Sequence, residues 1–158
     1  MASFQQRLMG AVRLDAATYE DVEHDPGATA QAGLVVAVAS LTSSVSWYFS
    51  VLDLDWVLRG AVHALVAWFI GALALWLIGT RVLPGRNTEA DLGQLLRTVG
   101  FAQAPGLFGV LVVIPIFGLF VPFLVAIWVI AATFVAVRQA LDYDTPSGRS
   151  LSASWPGL

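Results

Sequence analysis

The 158-residue chain has no cysteine, which excludes disulfides, thiolate nucleophiles and cysteine-ligated metal or iron–sulfur centres together. It has no lysine either: all eight basic residues are arginine, against eleven acids, for a net charge of −3 and a sequence pI near 5.1. Such a chain lacks the basic stripe that nucleic acid requires. Charge of any sign is scarce, at 12% of residues, about half the roughly 25% of a soluble domain. Residues 1–25 mix Arg7 and Arg13 with five acids and lack an apolar stretch with a small-residue cleavage site, so no cleaved leader is expected and the first span serves as the insertion signal. Sequence motifs for hydrolysis or phosphate binding are missing, among them GxSxG, HExxH and the P-loop. No enzyme and no cofactor is expected.

What is present is hydrophobicity: 58% of residues are apolar and the mean hydropathy is +0.76. So few charges cannot clothe a soluble surface, so lipid must solvate much of it. Residues 26–52 and 60–80 are free of Asp, Glu, Lys and Arg, and each stretch holds the roughly 20 residues that cross a bilayer core. A third uncharged stretch runs from Thr98 to Val137; as helix its 40 residues would reach about 60 Å, twice the hydrocarbon thickness, so it crosses twice. Pro115, Gly118 and Pro122 mark the turn between the two crossings.

The expected fold is therefore all-α and polytopic, with about four transmembrane helices near 27–52, 57–83, 98–116 and 121–141. Pro105 and Gly106 near the start of the third leave it open as a full crossing, a kinked helix or a re-entrant segment. The chain divides into an acidic, amphipathic N-terminal segment (1–25), a four-helix membrane domain (26–141) and a tail (142–158). Asp25-Pro26 offers a helix N-cap, Thr88-Glu89-Ala90-Asp91 approximates a capping box, and residues 89–102 pattern as an amphipathic helix. Phe4, Leu8, Ala11 and Val12 share one face of another. With four spans, seven arginines fall on the side of both termini and only Arg59 on the other, which predicts a multi-pass protein of the cell (inner or plasma) membrane with both termini cytoplasmic.

Candidate site residues are few. His63 is the ionisable side chain inside an expected span, a position that suggests a ligand or proton role, or a hydrogen bond to water or a carbonyl near the headgroups. No second His or carboxylate is spaced to complete a metal site with it. Asp55 and Arg59 form an i,i+4 pair expected in the outer loop. The hydroxyls of Ser40, Thr42, Ser43, Ser44 and Ser46 either bond across helices or back to their own helix. Ala67, Gly71 and Gly79 allow close helix approach. Glu20, Asp21 and Glu23 belong to an acidic stretch that points into water or docks a basic partner.

Several segments resemble the Yip1 domain membrane proteins in their prokaryotic form: residues 14–23 leading to Asp25-Pro26, residues 77–81, residues 95–106 and residues 136–142. Gly100, Phe101 and Pro105 fit that family's Gly-aromatic-x-x-x-Pro pattern, which implies a kink in the third span. The resemblance implies a multi-span helical protein; eukaryotic members act in vesicle traffic and membrane shaping with small GTPases. Their Asp-Leu-Tyr-Gly-Pro motif and long N-terminal extension are missing, so no GTPase partner is carried over, and their usual fifth span cannot be fitted. The expected function is a non-enzymatic membrane organiser or protein-docking scaffold, in contact with lipid and with itself or other membrane subunits. The alternative is an accessory transmembrane subunit of a larger energy-converting or transport complex.

Overall fold

A computed structural model describes residues 2–47, 54–82, 91–114, 118 and 120–141, with the backbone alone for 43–47 and 82. Among these residues every regular element is helical. The chain runs through α1 (Phe4–Val12), α2 (Ala16–His24), α3 (Ala28–Trp47), α4 (Leu54–Leu77, closing in a π-turn Ile78–Val82), α5 (Leu92–Phe101), a 3-10 helix (Ala104–Val113) and α6 (Val121–Ala140). The tail 142–158, Thr88-Glu89-Ala90, Asp53 and the turn prolines' neighbourhood at 115–117 lie outside the described residues.

Caps set the short helices. Ser3 starts α1 with a reciprocal box, its hydroxyl accepting from the Gln6 amide while Gln6 Oε1 accepts from the Ser3 amide at 2.8 Å. Asp15 caps α2, accepting from the Ala17 amide and from the Thr18 hydroxyl. Between them Leu14 takes a left-handed conformation, φ 61°, which folds α2 back on α1. The two helices meet so closely at Gly10 that a Cβ there would stand 1.9 Å from Thr18 Oγ1.

The box at the head of α5 is Asp91 with Gln94: Asp91 Oδ2 accepts from the Gly93 amide and Gln94 Oε1 from the Asp91 amide. Asp25 accepts from the Gly27 amide at 2.9 Å in a turn, and α3 begins only at Ala28, because two residues are needed to redirect the chain after α2.

Among the described residues three helical stretches are long and apolar enough to cross a membrane: Leu54–Arg81, Leu92–Val113 and Val121–Ala140. Within the 20-residue α3, residues Ala28–Thr42 are likewise apolar. This is a polytopic helical membrane protein. The middle stretch changes winding where Pro105 removes a backbone donor: α5 ends at Phe101, and the chain continues as ten residues of 3-10 helix. At about 1.5 Å per α residue and about 2.0 Å per 3-10 residue the two parts together reach roughly 35 Å, enough for a hydrocarbon core of about 30 Å.

The core sits where α1 and α2 pack on α5, α6 and the 3-10 helix, with α3 contributing to the same cluster. Tyr19, Val22, Ala32, Val35, Phe101 and Ala132 are buried there. Phe4 meets Phe101 edge-to-face, centroids 6.2 Å apart. Trp128 of α6 stacks on Phe108 and donates its indole N–H to the Val12 carbonyl at 3.0 Å, supplying a partner for the end of α1. A second cluster joins Leu95 and Val99 to Ala140 and Leu141, with Trp76 against it.

Candidate functional site

Two features of the fold bear on function: a polar network that fastens the α1–α2 headpiece to the bundle, and a groove between α4 and α6.

The network centres on Arg7. Helix α1 carries Phe4, Arg7 and Ala11 on one face, so docking the apolar residues takes Arg7 in with them, to 2% exposure. A buried guanidinium must be paired. Its Nε donates to Asp21 Oδ2 at 2.8 Å, and its Nη1 lies 2.8 Å from Asp25 Oδ2 and 3.3 Å from Gln31 Oε1. Burial opposes the charge on Arg7, but the hydrogen bonds and charges of Asp21 and Asp25 outweigh it and hold its pKa above the ordinary value. The bond from Arg7, helped by the Gly27 amide, holds the Asp25 carboxyl below its ordinary pKa of 3.8.

Arg97 of α5 makes the second fastening. Its guanidinium is buried, and its Nε donates to the Glu23 carbonyl at 3.0 Å, satisfying an acceptor at the C-terminal end of α2. The Glu23 residue is itself 5% exposed. Tyr19 completes the contact: its hydroxyl donates to the Ala11 carbonyl at 3.2 Å, and burial pushes its phenol well above the usual range.

The acidic stretch therefore does not present one solvated face. Asp21 and Asp25 turn inward to Arg7, Glu23 is covered, and Glu20 stays exposed. The basic partner of Asp21 and Asp25 is inside the same chain. The sequence held a signal for it, an arginine in the apolar face of an amphipathic helix ten or so residues before a run of acids; only the folded contact pairs them.

The groove has a volume of about 860 Å³. Helix α4 packs on α3 and α5, and α6 packs on the 3-10 helix, α5 and α2, which leaves a gap between α4 and α6. Gly60, His63, Ala64, Ala67 and Gly71 of α4 form one wall. Val125, Val129 and Thr133 of α6 form the other, and Ala39, Gln103, Gly106 and Gly109 lie between. Among the described residues a Cβ built on Gly71 meets nothing within 4 Å, so this small residue is not packed against another of the described helices.

The other small residues serve close approach. A Cβ on Gly100 would stand 2.6 Å from that of Ala32 and 3.2 Å from Trp68 Cζ2, so α3, α4 and α5 meet there. Trp68 donates its indole N–H to the Leu96 carbonyl at 3.1 Å beside this contact. Gly79, in the π-turn, faces the Leu141 side chain, whose Cδ atoms would lie 2.7 Å from an added Cβ. Phe101 and Pro105 are fully buried. Ser40 Oγ donates to Ala37 within α3, while Thr42 Oγ1 reaches both Ala39 at 2.8 Å and the Gly106 carbonyl of the 3-10 helix at 2.9 Å. Asp55 and Arg59 pair at the exposed start of α4. Among the described residues no group of three or more His, Asp or Glu side chains is gathered that could hold a metal ion, and His63 stands exposed in the groove wall.

The family model of the Yip1 domain matches residues 10–158. The chain belongs to the Yip1 domain family. No curated protein and no solved structure matches it. In this Yip1 domain the residues of the Gly-aromatic-x-x-x-Pro pattern sit at the junction of α5 and the 3-10 helix: Gly100 against Ala32, Phe101 in the core beneath α1, and Pro105 where the winding changes.

Proposed function

We propose that this Yip1 domain protein is a non-enzymatic membrane organiser that docks other proteins on its headpiece. The observation that carries the reading is the fastening of α1 and α2 by Arg7 and Arg97. A segment held by buried charged hydrogen bonds presents a pre-ordered surface, so a partner does not have to supply the ordering entropy. On that surface Glu20 and Arg13 remain exposed, and the apolar Met9 is 53% exposed. The arginine distribution favours a cytoplasmic headpiece in the cell membrane, where soluble partners are available.

A second reading, an accessory subunit of a larger membrane complex, draws on the flanks. Only 6% of the most apolar part of Leu54–Arg81 and 17% of that of Val121–Ala140 is buried within the chain, and Phe123, Ile130 and Phe134 face outward. Lipid alone can cover such surfaces, so the flanks allow a neighbouring subunit without requiring one.

Extraction from the native membrane in mild detergent, followed by mass spectrometry of co-purifying chains, separates the two. Soluble partners that are lost on replacing Met9 and Glu20 by Ala and Lys support the organiser. Stoichiometric membrane subunits retained by that variant support the accessory role.

A further inference from the structure

We propose that the groove between α4 and α6 is a binding site for one anionic phospholipid of the leaflet nearer Arg59, with its acyl chains along the small residues of α4 and its ester region at His63 and Gln103. This goes beyond the docking role of the headpiece and does not depend on it.

The groove, at about 860 Å³, lies within the range of about 300–1,000 Å³ typical of small-molecule sites. Its walls are mainly apolar, and Gly71 with Ala67 leaves bare backbone on which a flexible chain can lie.

Polarity then selects the lipid. His63 and Gln103 line the groove, and neither side chain bonds to another group among the described residues. In hydrocarbon, polar groups of this kind require partners. The ester carbonyls of a glycerolipid are acceptors for the His63 ring N–H on the α4 wall and the Gln103 amide between the walls. One helical turn above His63 stands Arg59, whose exposed pairing with Asp55 leaves other guanidinium donors free for a phosphate. Tail, carbonyl and phosphate thus meet small residues, hydrogen-bond donors and a cation in the order in which a phospholipid presents them.

The test uses the full chain, delipidated in detergent and exposed to phosphatidylglycerol, with bound lipid counted by native mass spectrometry. One lipid per chain is expected. Gly71→Phe fills the groove without a clash at its Cβ and should lower retention at least tenfold, while thermal unfolding in lipid-free detergent stays near that of the wild type. His63→Ala and Arg59→Ala should each weaken it several-fold, and phosphatidylcholine should be retained less than phosphatidylglycerol. Equal retention by wild type and Gly71→Phe overturns the proposal. So does disulfide formation between copies carrying Ala67→Cys in native membranes, which would place a second chain at the groove. Labelling of that cysteine by a membrane-impermeant maleimide would overturn it too, by showing a water-filled cleft.

Discussion

Arg7 and Asp21 lie fourteen residues apart and on different helices, yet their side chains meet at 2.8 Å, with Arg7 almost wholly removed from solvent. A buried guanidinium deprived of its carboxylates is costly, whereas the carboxylates themselves are partly exposed, at 35% for Asp21 and 20% for Asp25. The joint Asp21→Asn, Asp25→Asn variant should therefore loosen the headpiece more than Arg7→Met, which removes the charge and keeps much of the packing. Hydrogen exchange is the measurement: α1 and α2 amides should lose at least tenfold protection in the double variant and less in Arg7→Met, with α4 unchanged.

The same network carries a pH dependence. Because the Asp25 pKa is lowered by folding, its contribution is present above the ordinary value of 3.8 and is lost as pH falls through the folded value. Headpiece protection should be flat through neutral pH and drop only in acid, below about pH 4. In Asp25→Asn the acid limb should shrink; an unchanged acid limb in that variant would assign the effect to another group.

Gly100 and Gly71 make opposite predictions for one kind of substitution. Gly100→Ala drives a methyl against Ala32 and Trp68 at a three-helix contact, and overpacking of this sort costs about 1–3 kcal/mol. Gly71→Ala meets open space and should be neutral or stabilise by roughly 0.5–1 kcal/mol through helix propensity. Thermal unfolding in detergent should separate them.

Thr42 tests the third crossing. Its hydroxyl serves the Gly106 carbonyl just past Pro105, so Thr42→Val, similar in shape, should lose about 1 kcal/mol and increase exchange in the 3-10 helix. No loss would mean that water or a neighbouring group satisfies that carbonyl.

Membrane orientation is checked in a chain that has no cysteine to remove. Single cysteines at Ser3, Asp55 and Ser150 should label from the cytoplasm, the outside and the cytoplasm in turn. Labelling of positions 3 and 150 from opposite sides would overturn the four-span topology.

Uncharged stretches between acids and arginines exposed the membrane character at once, because desolvating a charge is the largest single cost a span can carry. The same rule misled at Arg97, which the charge pattern counts among loop arginines and which folding buries against the Glu23 carbonyl. Charge counting sees cost but not compensation. The box that opens α5, Asp91-Leu92-Gly93-Gln94, was not singled out from the sequence, where Thr88-Glu89-Ala90-Asp91 drew the reading. Arg7 with Asp21, and the gap between α4 and α6, depend on which helices become neighbours, and no local pattern encodes that. Gly71 shows the difference: its type suggested packing, and its surroundings are empty.

The ten residues from Ala104 to Val113 give one strut of this protein a length fixed by pitch instead of by residue number. Rewinding them as α-helix would shorten that strut by about 5 Å, while α4 and α6, already α-helical, would keep their reach. Bilayer thickness then bears unequally on the helices, and the junction at Pro105 is where a change in the surrounding lipid would first be felt as a change of shape.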